Sequence, residues 1–334
     1  MIMNGNLVNF FNGNLVPDSK ISRILFSFSP ISLRLKYIHK IIETNKKTKH
    51  ENFSFIKKKL NINFEIGTNC FVRKMNALII KDLSMDLIGA YIHGSLGTYE
   101  EIPYSDFDAL VIIKDEIFED KKRIVRVAKK MIKAKKIMYE FDPLQHHGWF
   151  IMTESDLKNY PQTYFPHELF EHAKSLFPDK GTKLEIYLNK NGYDYIQPFH
   201  NLANSIIRKI DSNKIPKNMF QLKSLLSEFM LLPALYIQAR DKKGVYKKFS
   251  FDLARKDFPE TEWEIINEVS EIRDNWHYKM GKIKRKIFTV TNPVYRKIVT
   301  RYLSPEIPTD INEKLIPEFY EKIKKLCVKM KEKI

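Results

Sequence analysis

The sequence predicts an α+β fold in which a mixed sheet flanked by helices is followed by an all-helical domain. An apolar strand, IGAYIHG at 88–94, follows an amphipathic helix expected at about 67–87, and a second apolar strand, DFDALVII, lies at 106–113. From about residue 155 onward, almost every segment has helical spacing. The predicted boundaries are 1–66 for an N-terminal extension, 67–160 for the sheet domain and 161–334 for the helical domain.

The composition is that of a globular protein with no membrane partner. Of the 334 residues, 43% are hydrophobic and 29% are charged. No apolar run reaches the roughly 18–20 residues that span a bilayer, and no basic segment precedes the first apolar residues as in a signal peptide. Cys70 and Cys327 are far apart and predict neither a zinc site nor a disulfide framework. We therefore expect a cytoplasmic protein.

The net charge of +17 has two interpretations. A basic chain can bind a polyanion, meaning nucleic acid or a nucleotide. The same charge can instead reflect lysines spread over a solvated surface. Charge alone does not separate the two, so a nucleic-acid partner stays open.

The elements of the sheet domain follow from local patterns. The extension is expected to be irregular, apart from 31–47, which shows helical spacing. The strand at 106–113 is nearly all apolar after its carboxylates, which is typical of a central strand buried on both faces. A helix is expected from Asp115 to about residue 136, with nine basic residues between Lys121 and Lys136. Those residues form either a nucleic-acid contact or a solvated face.

The next two segments, IMYEFD at 137–142 and HHGWFIM at 146–152, look like strands. Beyond them, KLEIYLN at 183–189 could be an edge strand. The predicted helices of the second half are 166–176, 197–211, 219–241, 262–280, 293–303 and 312–333.

Two aspartates carry the chemistry of the first half. Side chains two apart on a strand share a face, so Asp106 and Asp108 are expected side by side, with Phe107 turned away. Paired carboxylates favour a hard cation such as Mg²⁺ between them, because like charges so close are otherwise unfavourable. Upstream, Gly94 lets the backbone approach a phosphate, and Ser95 offers a hydroxyl and an N–H at a turn.

The pattern Gly94-Ser95, ten residues, Asp106-x-Asp108 resembles the signature of the DNA polymerase beta-type nucleotidyltransferase superfamily. It is most similar to bacterial aminoglycoside nucleotidyltransferases. The resemblance implies a nucleotidyltransferase-type mixed sheet, with Gly94 and Ser95 holding the triphosphate. It also implies that Asp106 and Asp108 bind two Mg²⁺ (or Mn²⁺) ions. The implied reaction moves a nucleoside monophosphate from a nucleoside triphosphate, ATP by preference, to an acceptor hydroxyl and releases pyrophosphate.

Members of that superfamily usually carry a third carboxylate, as a metal ligand or as the base. Asp142 is the first choice here and Glu140 the second. His147 lies nearer the position that a count along the strand favours, and an imidazole can accept a proton. His146 and His147 can also form a hydrogen-bonded pair that lines the sheet.

In the second half, a glycine turn is followed by Lys247, Lys248, a short helix and Phe258-Pro259. This order resembles the C-terminal helical domain of streptomycin/spectinomycin adenylyltransferases. The resemblance implies that Lys247 reaches the nucleotide's phosphates, with Lys248 as its neighbour. Both can instead be exposed turn lysines, and Ser250 is expected to cap a helix that begins at Phe251.

A second class of function stays open. Glu271-x-Arg273-Asp274 with His277 resembles, at a different spacing, the Arg and His of the HEPN helical bundle. Arg273 and Asp274 are instead expected to form a buried pair that fixes helix packing or lines the acceptor cleft. The alternative function is a non-catalytic or toxin–antitoxin-type protein that keeps the fold and binds nucleotide or RNA. For an enzyme, the acceptor can be a small molecule, a protein side chain or tRNA.

Overall fold

The computed structural model describes Val8, residues 10–12 and residues 54–334. The helical spacing at 31–47 lies outside the described residues. The strands are β1 (Phe55–Asn61), β2 (Leu87–Ile92), β3 (Ala109–Ile113), β4 (Phe150–Thr153), β5 (Lys174–Ser175) and β6 (Lys183–Asn189). The helices are α1 (Cys70–Leu83), α2 (Gly94–Thr98), α3 (Lys121–Phe141), α4 (Glu154–Lys158), α5 (Ile196–Asp211), α6 (Met219–Phe229), α7 (Leu232–Asp241), α8 (Lys247–Arg255), α9 (Glu260–Asp274), α10 (Lys282–Ile287), α11 (Pro293–Tyr302), α12 (Thr309–Asn312) and α13 (Pro317–Glu332).

The main sheet has four strands in the order β4-β3-β2-β5. β2 is antiparallel to β3 and to β5, whereas β3 is parallel to β4, so the sheet is mixed. Every residue of β3 is buried, as expected for a central strand with both faces covered. The described residues after β6 form helices only, which confirms the predicted α+β class.

The main sheet lies between two layers. On one face, Ala90, Val111 and Ile113 pack against apolar residues of α1 and α3. On the other face, Leu110 and Ile112 pack against the antiparallel ribbon of β1 and β6. The edge strand predicted at 183–189 is therefore confirmed, and the expectation that the chain is irregular before residue 66 is wrong at β1.

The strand predicted at 137–142 is wrong, because these residues continue α3 to Phe141. Ala134, Ile137 and Met138 stay on the buried side of the helix and extend its apolar stripe by a turn. The helix ends at Phe141, and its C-cap Asp142 is extended because it precedes Pro143, which disfavours helical geometry at the residue before it. The helix predicted from Asp115 also begins later, after a short 3-10 segment at Asp115–Glu119.

Several other predicted elements have different limits. The helix predicted at 219–241 is two helices, α6 and α7, and Pro233 lies in the first turn of α7. The helix predicted at 166–176 is a 3-10 segment at His167–His172 followed by β5. Ser250 does not cap a helix at Phe251: α8 already begins at Lys247, and the buried Ser250 hydroxyl donates to the Lys247 carbonyl at 2.6 Å.

The two halves of the chain pack closely together. The Tyr104 hydroxyl, from the sheet half, donates to the carbonyl of Lys223 in α6 at 2.7 Å, and its ring meets Trp276 edge-on. The buried Arg296 of α11 donates to the carbonyls of Pro143 and Gln145 at 2.7 and 2.8 Å. Within 54–334 and the short described N-terminal piece, no helix is long and apolar enough to span a membrane.

Candidate active site

Asp106 and Asp108 lie just before β3, and their side chains share one side of the backbone. Phe107 points the other way, into the core, where it packs edge-on against Phe141. The buried Gln145 holds this segment: it accepts from the Phe107 N–H at 2.9 Å and donates to the Phe107 carbonyl at 3.1 Å. The alternation expected of a strand therefore persists, although β3 begins only at Ala109.

His147 lies beside both carboxylates. Its Nε2 is 3.1 Å from Asp108 Oδ1 and 3.9 Å from Asp106 Oδ2, and its Nδ1 is 3.1 Å from the Gly148 carbonyl. Burial alone would lower the pKa of His147, but the hydrogen bond and charge of Asp108, with that of Asp106, raise it to about 9. Burial alone would raise the pKa of Asp108, but the hydrogen bond and charge of His147 have the larger effect and lower it.

Lys223 of α6 enters the site from the helical half. Its Nζ is 2.9 Å from Asp106 Oδ1 and 2.8 Å from Asp142 Oδ2, and it donates to the Tyr104 carbonyl at 2.7 Å. Burial opposes the charged form, but the two carboxylates raise the pKa of Lys223. Burial alone would raise the pKa of Asp106, but the charges of Lys223 and of the nearby histidines lower it.

Asp142 and Glu140, the two candidates for a third carboxylate, differ in their surroundings. Asp142 Oδ1 accepts from the Leu144 N–H at 3.0 Å, and its other oxygen accepts from Lys223. Burial raises the pKa of Asp142 to about 6. Glu140 pairs instead with Lys74 of α1. The structure thus brings Asp142, through Lys223, to Asp106.

Gly94 and Ser95 begin α2, directly after β2. Gly94 has φ +64°, and a Cβ on it would lie 2.5 Å from Asp108 Oδ2, so only glycine leaves this space beside the carboxylate. The Ser95 hydroxyl donates to the Ser105 hydroxyl at 2.9 Å, and Ser105 Oγ accepts from the Ile102 N–H. Ser105, which immediately precedes Asp106, was not predicted from the sequence.

The two neighbouring lysines of α8 have different environments. Lys247 is half-buried, and burial together with Arg273 lowers its pKa to about 8, against the opposing effect of Asp108 and Asp106. Lys248 is exposed and pairs with Glu100, after the end of α2. Of the two lysines, Lys247 is the one whose pKa is affected by the charges of Asp108 and Asp106.

Arg273 does not form the predicted buried pair with Asp274, which is exposed. Its guanidinium lies 4.8 Å from the centroid of the Tyr104 ring. Its Nε is buried and has no hydrogen-bond partner among the described residues. Arg273 and Lys247 thus place positive charge on the helical side of the site.

The basic face of α3 is partly neutralised within the chain. Arg123 and Arg126 both pair with the buried Asp86, and Lys130 pairs with Asp82. Lys135 is itself buried. A nucleic-acid contact along this helix stays a prediction.

The chain has little sequence similarity to known proteins. No family model matches the chain, and no curated protein matches it. Among solved structures, it is similar to the crystal structure of spectinomycin adenyltransferase AAD(9) from Enterococcus faecialis with ATP and spectinomycin. The identity is 13% and the TM-score is 0.35, with 69% of this chain and 98% of that chain covered.

Proposed function

We propose that the chain is a nucleotidyltransferase that moves a nucleoside monophosphate from a nucleoside triphosphate, ATP by preference, to an acceptor hydroxyl. The observation that carries the proposal is the cluster of Asp106, Asp108 and His147 beside the gap at Gly94. Two carboxylates on one side of the backbone, next to a glycine that lets another group approach, suit a cation and a phosphate together.

The residues fit a divalent cation. Asp106 and Asp108 supply carboxylate oxygens, the donors that Mg²⁺ prefers, and a divalent ion there would replace the positive charge of His147 and leave that imidazole neutral. Among the described residues, no three His, Cys, Asp or Glu side chains form a complete metal site. Phosphate or water would therefore complete the coordination, and a bound ion would offset the charge of the triphosphate.

The remaining groups hold the triphosphate and accept the proton. Ser95 offers a hydroxyl, and Lys247 and Arg273 offer positive charge from the helical half. The acceptor oxygen bonds to the α-phosphorus, the bond from that phosphorus to the bridging oxygen breaks, and pyrophosphate leaves.

We propose that neutral His147, and not Asp142, takes the proton that the acceptor hydroxyl loses as it attacks. Both oxygens of Asp142 already accept hydrogen bonds, and its side chain is only 8% exposed. The side chain of His147 is 34% exposed, so a substrate hydroxyl can reach it. The acceptor itself stays open among a small molecule, a protein side chain and tRNA.

The test is incubation with labelled nucleoside triphosphates, Mg²⁺ and a panel of acceptors, scored for pyrophosphate release. We expect release with the parent chain and a loss of at least a hundredfold in Asp108→Asn, because the cation loses a ligand. Asp252→Asn, which changes an exposed carboxylate on α8, is the matched control and should retain the activity.

The engagement of Asp142 with Lys223 favours one alternative, a protein that binds nucleotide without transferring it. Nucleotide binding that requires Mg²⁺ and Asp108, with no pyrophosphate release on any acceptor, would support that alternative. If triphosphate binding is indifferent to both Mg²⁺ and Asp108→Asn, the proposed site is wrong altogether.

A further inference from the structure

We infer that Lys223 takes the place of one of the two divalent cations, so that the chain binds a single divalent ion with its nucleoside triphosphate. The inference rests on the proposed function, since it concerns the number of cations at that same site. It departs from the two ions that the sequence resemblance implies.

The contacts of Lys223 are those of a bound cation. Its Nζ lies 2.7 Å from the Tyr104 carbonyl, 2.8 Å from Asp142 Oδ2 and 2.9 Å from Asp106 Oδ1. Two of its three N–H donors go to the Tyr104 carbonyl and Asp142 Oδ2, and the Asp106 contact is an ion pair. Two carboxylates and a carbonyl are also oxygen donors that a hard divalent cation takes.

The space around Lys223 is closed to a second ion. Its side chain is 0% exposed, and the ring of Tyr104 covers the ammonium with its centroid 4.7 Å from Nζ. A divalent ion between Asp106 Oδ1 and Asp142 would lie next to a buried positive charge. That repulsion is large in a buried environment, because water does not screen it.

The other oxygen of Asp106 is not in contact with Lys223 and faces the partly exposed His147. Asp106 Oδ2 and Asp108 Oδ1 face His147, and Asp108 Oδ2 lies beside the gap at Gly94. One ion can therefore bind between Asp106 and Asp108 while Lys223 holds the buried oxygen of Asp106. Lys223 belongs to α6, so the helical half supplies the second positive charge.

The experiment counts bound ions. Mn²⁺ is titrated into the full chain with a saturating α,β-methylene analogue of ATP, which cannot be cleaved at that bond, and free Mn²⁺ is read by electron paramagnetic resonance. We expect one Mn²⁺ per chain in the parent and none above the analogue alone in Asp108→Asn. Two Mn²⁺ in the parent would overturn the inference and leave the proposed function standing. No binding beyond the analogue alone would remove both.

Removal of Lys223 gives the complementary test. Lys223→Ala frees two carboxylates and a carbonyl and should raise the count to two, provided that its thermal unfolding stays cooperative. Lys209→Ala is the matched control, because Lys209 also pairs with a carboxylate, Glu228, but on a half-exposed surface of the helical half. It should bind one Mn²⁺. A count of one in a folded Lys223→Ala would contradict the inference, and if that variant does not fold, the count in the parent decides.

Discussion

At the scale of single residues, Asp106 lies between two cations that come from different parts of the chain. Lys223 binds one of its oxygens from α6, and His147 faces the other from the segment before β4. Cations at both oxygens fix the orientation of a carboxylate and stabilise its ionised form. The orientation of this aspartate therefore depends on the correct packing of the helical half against the sheet.

The first prediction concerns the charge of His147. Its pKa in the folded chain, about 9, exceeds the ordinary value near 6.5, so its ion pair stabilises the fold fully below about pH 6.5. That stabilisation is lost as the pH rises through 9. In EDTA, the melting temperature of His147→Gln should fall below that of the parent at pH 6 and approach it near pH 10. A midpoint of 6.5 for the His147 ring, measured by NMR without metal, would contradict the prediction.

The second prediction separates the two neighbouring lysines. Lys247→Ala should weaken triphosphate binding about tenfold or more and leave nucleoside binding unchanged, since a charge-assisted contact contributes roughly 1.5–3 kcal/mol. Lys248→Ala, which removes an exposed partner of Glu100, should have little effect on either ligand. Calorimetry with both ligands decides. Equal triphosphate affinity in Lys247→Ala and the parent would assign Lys247 an ordinary surface role.

The sequence predicts only part of this site. Asp106 and Asp108 were predictable because their spacing and the strand after them are local. Lys223 and Gln145 were not, because their contacts depend on the tertiary packing. The one signal for Lys223 is its place among the apolar residues of α6, where Leu222 and Leu226 are also buried. A lysine there can be a buried partner, but the pattern does not name its acceptor.

At the scale of elements, α3 is fixed at its buried face by a short N-terminal piece of the chain. Lys135 of α3 donates to the Asn12 carbonyl at 2.8 Å. The Asn12 side chain in turn accepts from the Trp149 N–H at 2.8 Å and donates to the Trp149 carbonyl at 3.0 Å. Asn12 therefore joins α3 to the residue before β4, two positions after His147.

The third prediction follows from the burial of Lys135. Burial lowers its pKa from 10.5 to about 7, so the folded chain disfavours its charged form and stability falls as the pH drops from 10.5 to 7. Lys135→Met removes that penalty and should stabilise the fold by about 1–3 kcal/mol at pH 7, less the lost hydrogen bond to Asn12.

The gain from Lys135→Met should shrink as the pH rises toward 10.5, as chemical denaturation at several pH values can show. The control is Lys136→Met, because Lys136 is exposed on the same helix. An equal change in the two variants would show that burial is not the cause. A loss of stability in Lys135→Met alone would show that the hydrogen bond to Asn12 outweighs the burial of the ammonium.

The limits of α3 show what local patterns leave out. Its apolar stripe predicts a helix, but the stretch IMYEFD at 137–142 combines apolar and aromatic residues in an order that also suits a strand. Packing of Met138 and Ile137 in the core decides for the helix, and this packing involves α1 and the sheet. β1 was missed for a similar reason, since its partner β6 is distant in the sequence.

At the scale of the whole molecule, the sheet half and the helical half share buried polar contacts. Arg296 donates to two carbonyls of the segment that follows α3, and it stacks on Tyr139 with its guanidinium 4.0 Å from the ring centroid. The predicted division at 1–66, 67–160 and 161–334 stays a prediction. We nevertheless expect the two halves to unfold together, because separation would leave these groups unpaired.

The fourth prediction tests this coupling. Arg296→Met should destabilise the chain by about 2–4 kcal/mol, because the buried carbonyls of Pro143, Gln145 and Phe288 lose their donor. Arg301→Met, at an exposed position of the same helix, is the matched control and should be nearly neutral. Differential scanning calorimetry should show one unfolding transition in the parent, at a higher temperature than in Arg296→Met. Two separate transitions in the parent would mean that the halves are energetically independent.

The ribbon of β1 and β6 has a consequence for the order in which the chain folds. β1 pairs with β6 along its whole length, from Phe55 opposite Asn189 to Asn61 opposite Lys183, so this ladder cannot form until the segment at 183–189 has been synthesised. Closing a loop of this length costs about 2 kcal/mol more entropy than closing one tenfold shorter. The four strands of the main sheet pair without β1, so the main sheet can form before β1 pairs with β6. The ribbon layer over the main sheet is expected to assemble late, because pairing between segments this far apart in the sequence is slow.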